Sequence, residues 1–104
     1  MQQTAVHNNA VVLSELPVER SEASGVLSML ESEPLYMEFL MSPVIFYRKK
    51  ETVEKKISTA AGLSKAMTDF LLVMIKNHNE RFIPDILREY LRIEDEKAGI
   101  LTAE

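Results

Sequence analysis

Few residues of this chain have the type and spacing that catalysis or metal binding requires. Cysteine is absent, and the histidines are His7 and His78. Neither histidine has a cysteine or a carboxylate at the spacing of a metal site. His7 lies near the N-terminus and His78 in a predicted turn, so we expect both on the surface. The histidines therefore predict neither a general base nor a metal centre.

The acidic residues and the glycines offer no further site. The acidic run at residues 94–96 lacks the alternating aspartates and the glycine of a calcium loop, so a solvated helix face explains it better. Gly25, Gly62 and Gly99 are isolated and form no loop that could cradle a phosphate. An enzyme would need a nucleophile, a base and a group that stabilises charge in the transition state. We therefore expect a protein that is not an enzyme and has no catalytic, cofactor-binding or metal-binding residue.

The composition is that of one globular domain with an acidic surface. Hydrophobic residues make up 46% of the 104 residues, too many for a disordered chain. The net charge of −4 does not attract phosphate backbones over the whole surface, which argues against a nucleic-acid partner. The longest nearly uncharged run, residues 39–47, is far shorter than the ~20 residues that span a bilayer. We therefore expect no direct membrane insertion.

One local patch of positive charge departs from this acidic balance. The segment from Arg48 to Lys56 contains five basic and two acidic residues. The simpler explanation is a solvated helix face on which opposite charges pair four residues apart, such as Glu51 with Lys55. No glycine-rich loop or aromatic stacking platform accompanies the patch. A free-standing helical regulatory or nucleic-acid-binding module that uses this patch is the alternative function.

Prolines, glycines and polar residues divide the chain into six predicted helices. No useful window alternates strictly between apolar and polar residues, so strands are not expected. Ser32 to Pro34, Ser42-Pro43, Gly62 and the trio at residues 77–79 mark the breaks. The predicted helices cover approximately residues 4–16, 17–31, 35–40, 47–61, 64–77 and 81 onward. On the fourth helix, Val53, Ile57 and Ala60 or Ala61 share a face. The pattern predicts an all-α fold, a compact six-helix bundle in which residues 1–104 form a single domain.

The predicted fifth helix carries more apolar surface than one face can hold. Residues 70–75 (FLLVMI) are six apolar residues in a row, which go all the way round a helix. Such a helix is either central to its fold or covered on its second side by another element. Both explanations stay open here, and the second predicts an exposed groove for an amphipathic partner helix. The core face is expected to hold Met67, Phe70, Leu71 and Met74, and the other side Asp69, Leu72, Val73 and Lys76.

Several segments together resemble a known family. They are residues 39–45 (FLMSPVI), the lysines that follow, residues 70–77 (FLLVMIKN), and the set Pro84, Asp85, Ile86 and Tyr90. Residues 97–104 (KAGILTAE) resemble the segment that leads into the family's second domain. In order and spacing these segments resemble the N-terminal domain of the delta subunit of bacterial F-type ATP synthase. The mitochondrial counterpart is the oligomycin sensitivity-conferral protein.

The resemblance implies a mechanical function. In that family the domain is a six-helix bundle on top of the catalytic head, and a groove between its first and fifth helices holds the amphipathic N-terminal helix of an alpha subunit. The second domain grips the b subunits of the peripheral stalk and completes a stator that couples proton flow to ATP synthesis. The resemblance thus implies a non-catalytic, peripheral subunit at the cytoplasmic face of the bacterial cell membrane. Because the chain stops inside the expected linker, we expect the stalk-binding C-terminal domain to be absent from it.

Carried over position by position, the resemblance implies a set of partner-binding residues. Leu72 and Val73 are the expected apolar anchors on the fifth helix, with Val12 opposite them on the first. Asn9 stands where the family has a tyrosine, and His78 follows Asn77 where the family often has arginine. The complete predicted set is Asn9, Val12, Asp69, Leu72, Val73 and Lys76.

Overall fold

The computed structural model describes residues 3–99, and this part of the chain is helical. No strand occurs in these residues, and the predicted all-α six-helix bundle is confirmed. Residues 100–104, the greater part of the segment that resembles a linker, lie outside the described range. The elements are α1 (Gln3–Ser14), α2 (Arg20–Ser32), α3 (Pro34–Met41), α4 (Tyr47–Ala61), α5 (Lys65–Lys76), a 3-10 turn (Glu80–Phe82) and α6 (Ile83–Lys97).

Most helix ends lie where the local sequence chemistry predicts them. Gly62 ends α4 in the left-handed region, with φ 71°, a conformation that favours glycine. Ser64 caps α5, and its hydroxyl oxygen accepts a hydrogen bond from the Met67 backbone N–H at 3.2 Å. Pro34 lies in the first turn of α3, where its missing N–H has no cost. These residues fix two of the breaks between helices, the one before α3 and the one between α4 and α5.

The predicted start of α2 near residue 17 is wrong by about one turn. The helix begins at Arg20, and Glu19 before it has extended backbone angles. The Glu19 backbone N–H donates to the carboxylate of Glu22 at 2.9 Å, as in a capping box. The second carboxylate oxygen of Glu22 accepts from the Ser64 backbone N–H at 2.6 Å. Glu22 therefore sets where α2 begins and joins that end to the start of α5.

The hydrophobic core forms around α6. This helix packs against both α1 and α2, while α4 packs along α5. Ile83, Ile86 and Leu87 are fully buried and Tyr90 is 1% exposed, whereas Leu91 lies at the edge of the core. From α1 the core receives Val6, Ala10 and Leu13. Burial raises the pKa of the Tyr90 hydroxyl to about 12.

Helix α4 buries a polar face rather than its apolar one. Lys50, Glu54 and Ser58 point inward and are each no more than 5% exposed. Val53 and Ile57 are only half-buried and line a shallow cavity of about 350 Å³ between α4 and α3. The apolar face that the sequence indicates for α4 is therefore open to a cavity.

The buried polar face of α4 is stabilised by partners from distant elements. The Lys50 ammonium lies 3.3 Å from the Glu80 carboxylate. The hydroxyls of Tyr36 and Ser58 donate to the two carboxylate oxygens of Glu54, at 2.5 Å and 2.9 Å. Burial raises the pKa of Glu54, and the two hydroxyl donors only partly oppose this. Burial and the neighbouring Glu54 also raise the pKa of Tyr36. Because each charged or polar group has a partner, the inward polar face is compatible with a stable bundle.

Candidate partner-binding groove

A shallow apolar channel runs between α1 and α5, and we call it the α1–α5 groove. Its volume is about 390 Å³. On both sides the lining positions recur three or four residues apart, as expected for the exposed edges of two helices. On the α1 side the last of them, Leu16, lies just beyond the end of the helix at Ser14. The lining residues are Asn9, Val12, Leu16, Ala66, Asp69, Phe70, Val73 and Met74.

The apolar side chains of the groove form two exposed walls over a buried floor. Val12 on α1 is 54% exposed and Val73 on α5 is 52% exposed. Phe70 and Met74 lie at the floor and belong to the hydrophobic core. A β-branched valine has few rotamers, so both walls offer apolar contact at a small entropy cost. Since these side chains form the walls and the floor without an occupant, the channel is pre-formed in the unbound chain.

The polar residues of the groove are engaged within their own helices. The side-chain amide of Asn9 donates to the Ala5 carbonyl oxygen at 2.8 Å. Asp69 pairs with the ammonium of Lys65 at 2.7 Å, and both side chains are exposed. An exposed pair of this kind contributes little to folding stability. Asp69 can therefore exchange Lys65 for a cationic group on an occupant.

The structure brings four of the six predicted partner-binding residues together. Asn9, Val12, Asp69 and Val73 line the α1–α5 groove. Lys76 is exposed one turn beyond the lined part of α5. The partner-binding role of these residues stays a prediction.

Leu72 does not point into the groove, and the expectation that it serves as an outward anchor is wrong. Its side chain is only 8% exposed and does not line the channel. The reason is that α4 packs along α5, so α5 is covered on more than its core side. Of the six apolar residues at 70–75, only Val73 remains exposed.

Four residues of the groove were not predicted from the sequence. Leu16 is 37% exposed and lies one turn after Val12, so helical spacing from Val12 could have identified it. Ala66, Phe70 and Met74 also line the channel. The sequence pattern predicts Phe70 and Met74 as core residues. Part of each side chain is accessible from the channel only because α1 and α5 are separated there.

Helix α1 is held in place by polar contacts at two points, His7 and Ser14. The imidazole Nδ1 of His7 lies 2.6 Å from a carboxylate oxygen of Glu89 on α6. The Lys97 ammonium donates to the Ser14 carbonyl oxygen at 3.2 Å. Hydrogen bonds from Arg92 and His7 lower the pKa of Glu89 to about 2. These contacts fix the α1 wall relative to the core.

The basic patch between Arg48 and Lys56 is smaller in the folded chain than in the sequence. Lys50 is buried and paired with Glu80, so it cannot reach an external phosphate. The predicted pair of Glu51 with Lys55 is confirmed, at 3.2 Å. Both findings weaken the alternative of a nucleic-acid-binding surface.

Residues 3–99 contain neither a cluster of metal-ligating side chains nor a helix that could cross a membrane. Over this range, no group of three His, Asp or Glu side chains is arranged to hold a metal ion. None of the helices described above has the length and apolar character needed to cross a membrane.

Comparison with known proteins places this arrangement in context. The family model for the "ATP synthase delta (OSCP) subunit" matches residues 5–104. The chain is 24% identical over 100 residues to mitochondrial ATP synthase subunit 5 of Yarrowia lipolytica, covering 96% of this chain and 47% of that protein. It is 25% identical over 88 residues to ATP synthase subunit delta of Ruminiclostridium cellulolyticum, covering 85% and 50%.

A plant relative gives a similar result. The chloroplastic ATP synthase delta chain of Spinacia oleracea is 26% identical over 87 residues, covering 84% of this chain and 34% of that protein. The chain thus spans half the length or less of these curated relatives. No solved structure matches it significantly.

Proposed function

The chain belongs to the ATP synthase delta (OSCP) subunit family, and we propose that it acts as a non-catalytic stator component of F-type ATP synthase. In this proposal residues 1–104 act as one helical domain at the top of the catalytic head. The domain binds the amphipathic N-terminal helix of an alpha subunit. Contact with the b subunits of the peripheral stalk is made through the family's C-terminal domain, and the complex lies at the cytoplasmic face of the bacterial cell membrane.

The observation that carries the proposal is the pair of exposed valines across a pre-formed apolar channel. Val12 and Val73 line opposite walls of the α1–α5 groove and are both about half exposed. An amphipathic helix places apolar residues three or four positions apart, which matches a channel between two helices. Burying each half-exposed valine contributes about 1 kcal/mol. The groove therefore favours a helix with a narrow apolar stripe.

The floor of the groove suits a load-bearing role. Phe70 and Met74 are core residues, so an occupant contacts side chains that are held by the rest of the bundle. A stator needs a contact that does not move when torque is applied, and closely packed interiors deform little. In this proposal the groove supplies both binding and rigidity.

The test is a titration of the isotope-labelled chain with a peptide of the alpha-subunit N-terminal helix. We expect saturable amide shifts around Val12, Phe70 and Val73. The control peptide has serine at each apolar position and the same net charge, and should give no saturable shift. Shifts confined to surfaces away from these three residues would reject the groove as the binding site.

A nucleic-acid partner is not part of the proposal. Among the five basic residues between Arg48 and Lys56, Lys50 is buried and Lys55 is paired with Glu51. A phosphate-binding surface would give an affinity that falls by several log units per log unit of salt. We expect no shift with a single-stranded or double-stranded oligonucleotide at low salt.

A further inference from the structure

The connection between α3 and α4 exposes large apolar side chains. Val44 is 82% exposed, Phe46 is 83% exposed and Met41 is 45% exposed. Single exposed apolar residues are common on protein surfaces, but here three occur within six consecutive positions. A cluster of this kind on a small domain is typical of an interaction site. We call residues 41–49 the α3–α4 corner.

The same corner carries positive charge that is poorly placed for the chain alone. Arg48 and Lys49 lie in the first turn of α4, which contains no acidic residue. The N-terminus of a helix is the positive end of its dipole, so cations there are unfavourable. Within residues 3–99, neither side chain forms an ion pair. The N-cap is Phe46, which has no side-chain cap hydrogen bond and no polar atom to supply one.

The turn after α5 adds to this positive surface. Met41, Pro43 and Ile45 face the turn across a cavity of about 210 Å³, which His78, Glu80 and Arg81 also line. The one carboxylate there, Glu80, is paired with the buried Lys50 at 3.3 Å. The Arg81 guanidinium stays exposed and lies 6.0 Å from the centre of the Phe82 ring. Arg81 therefore adds an exposed positive charge beside Met41, Pro43 and Ile45 of the corner.

Exposed apolar side chains and positive charges at a helix N-terminus both lower the stability of a domain. Within residues 3–99, no contact offsets these costs. Such costs are expected where a surface is shaped for a partner. We propose that the α3–α4 corner is a second protein-docking surface, separate from the α1–α5 groove, whose partner is an acidic segment with apolar side chains. The apolar side chains of that segment cover Val44 and Phe46. Its carboxylates lie against Arg48 and Lys49 and complement the positive end of the α4 dipole.

The chemistry of the corner favours an acidic protein segment over other occupants. A single-stranded nucleic acid would require stacking faces, whereas of the two aromatic rings in the corner only Phe46 is exposed and Tyr47 packs against the core. A symmetric contact between two copies of this chain would bring Arg48 and Lys49 of both copies together, which is repulsive. An acidic segment meets the apolar and the positive features at once.

The test uses two synthetic helical peptides of 18 residues as probes. One has leucine at i, i+3, i+4 and i+7 positions and glutamate elsewhere, and the other has lysine in place of each glutamate. We expect the acidic peptide to give saturable amide shifts at residues 41–49 and at Arg81. Its affinity should fall about tenfold when the salt concentration rises from about 50 to about 300 mM. The lysine peptide should give no saturable shift.

Paired substitutions separate the apolar contribution to peptide binding from the electrostatic one. Val44→Ser with Phe46→Ser, and separately Arg48→Glu with Lys49→Glu, should each weaken the acidic peptide at least tenfold. The control is Leu35→Ser, because Leu35 is also 73% exposed but lies at the other end of α3. It should bind like the wild type. Circular dichroism melts establish that all variants are folded.

Three results would overturn the proposal. They are equal binding of the two peptides, shifts centred on the α1–α5 groove, and unchanged affinity in the Val44→Ser, Phe46→Ser variant. Self-association of the chain through the corner, measured by sedimentation, would also contradict the proposal. A Val73→Asp variant keeps this test independent of the stator proposal, since it alters the α1–α5 groove and leaves the corner intact.

Discussion

The imidazole Nδ1 of His7 on α1 lies 2.6 Å from the Glu89 carboxylate on α6, although the two residues are 82 positions apart. Arg92 donates to the same carboxylate from one turn further along α6. Glu89 is thus a polar link between the first helix and the central helix of the bundle. Because α1 forms one wall of the α1–α5 groove, this link also holds a wall of the proposed binding site.

The link through Glu89 should make stability depend on pH. The pKa of Glu89 is lowered from 4.5 to about 2 by its hydrogen bonds to Arg92 and His7. The folded state therefore binds the Glu89 proton less readily than the unfolded state, and this stabilisation is present above pH 4.5 and lost as pH falls to about 2. In urea unfolding, the free-energy difference between wild type and Glu89→Gln should shrink as pH falls from about 4.5 toward 2. The variant His7→Gln should show a smaller difference of the same sign. A difference that grows on acidification would contradict this assignment.

Val73 and Leu72 are adjacent and should respond in opposite ways to aspartate. Val73→Asp should keep the fold and weaken the alpha-subunit peptide by more than about 1.4 kcal/mol, a tenfold loss, because the charge is desolvated only in the complex. Leu72→Asp should destabilise the chain by about 3 kcal/mol or more, because that side chain is 8% exposed. Calorimetric titration and thermal melts measure the two effects.

The matched control for both variants is Leu35→Asp, at an exposed position outside the groove. It should alter neither peptide binding nor the melting temperature appreciably. If Val73→Asp unfolds, Val73 is a core residue and the groove lacks one wall.

The Lys50–Glu80 pair should show strong coupling in a double-mutant cycle. Both side chains are buried and their charged atoms are 3.3 Å apart. Lys50→Met alone leaves a buried carboxylate unpaired and should cost about 3 kcal/mol of unfolding free energy. Adding Glu80→Gln should recover more than half of that loss. Additive single-variant losses in denaturant unfolding would show that the two groups do not stabilise each other.

His78 has a backbone conformation that favours glycine. Its φ is 61°, in the left-handed region that costs an L-residue roughly 1 kcal/mol. His78→Gly should raise the unfolding free energy by up to about 1 kcal/mol, since relief of strain exceeds the extra entropy of the unfolded chain. His78→Ala keeps the strain and serves as the control. A glycine variant less stable than the alanine variant would show that relief of strain does not exceed the extra entropy of the unfolded chain.

The fold was predictable where local chemistry decides it. Gly62, Ser64 and Pro34 mark helix ends by rules that need no tertiary information. Met67, Phe70, Leu71 and Met74 were predicted as the core face of α5, and all four are buried. The start of α2 was misplaced because Glu19 and Glu22 form a capping box that usually begins with serine or threonine.

The inward face of α4 could not be read from the sequence. Lys50 and Glu54 look like solvated residues, and their burial depends on Glu80 and Tyr36, which lie 30 and 18 positions away. The burial of Leu72 likewise depends on which side of α5 the fourth helix covers. The burial of these side chains depends on how distant elements pack together. The periodicity of apolar residues along one helix does not predict that packing.

Phe70 and Met74 are shared between the channel floor and the molecule's interior. A helix bound there would contact side chains that belong to the same core as the central helix, so a sideways pull on it spreads through the whole packed unit. Under load the domain would then deform as one unit. The bound helix would dissociate from the groove before any helix of the domain separated from the bundle.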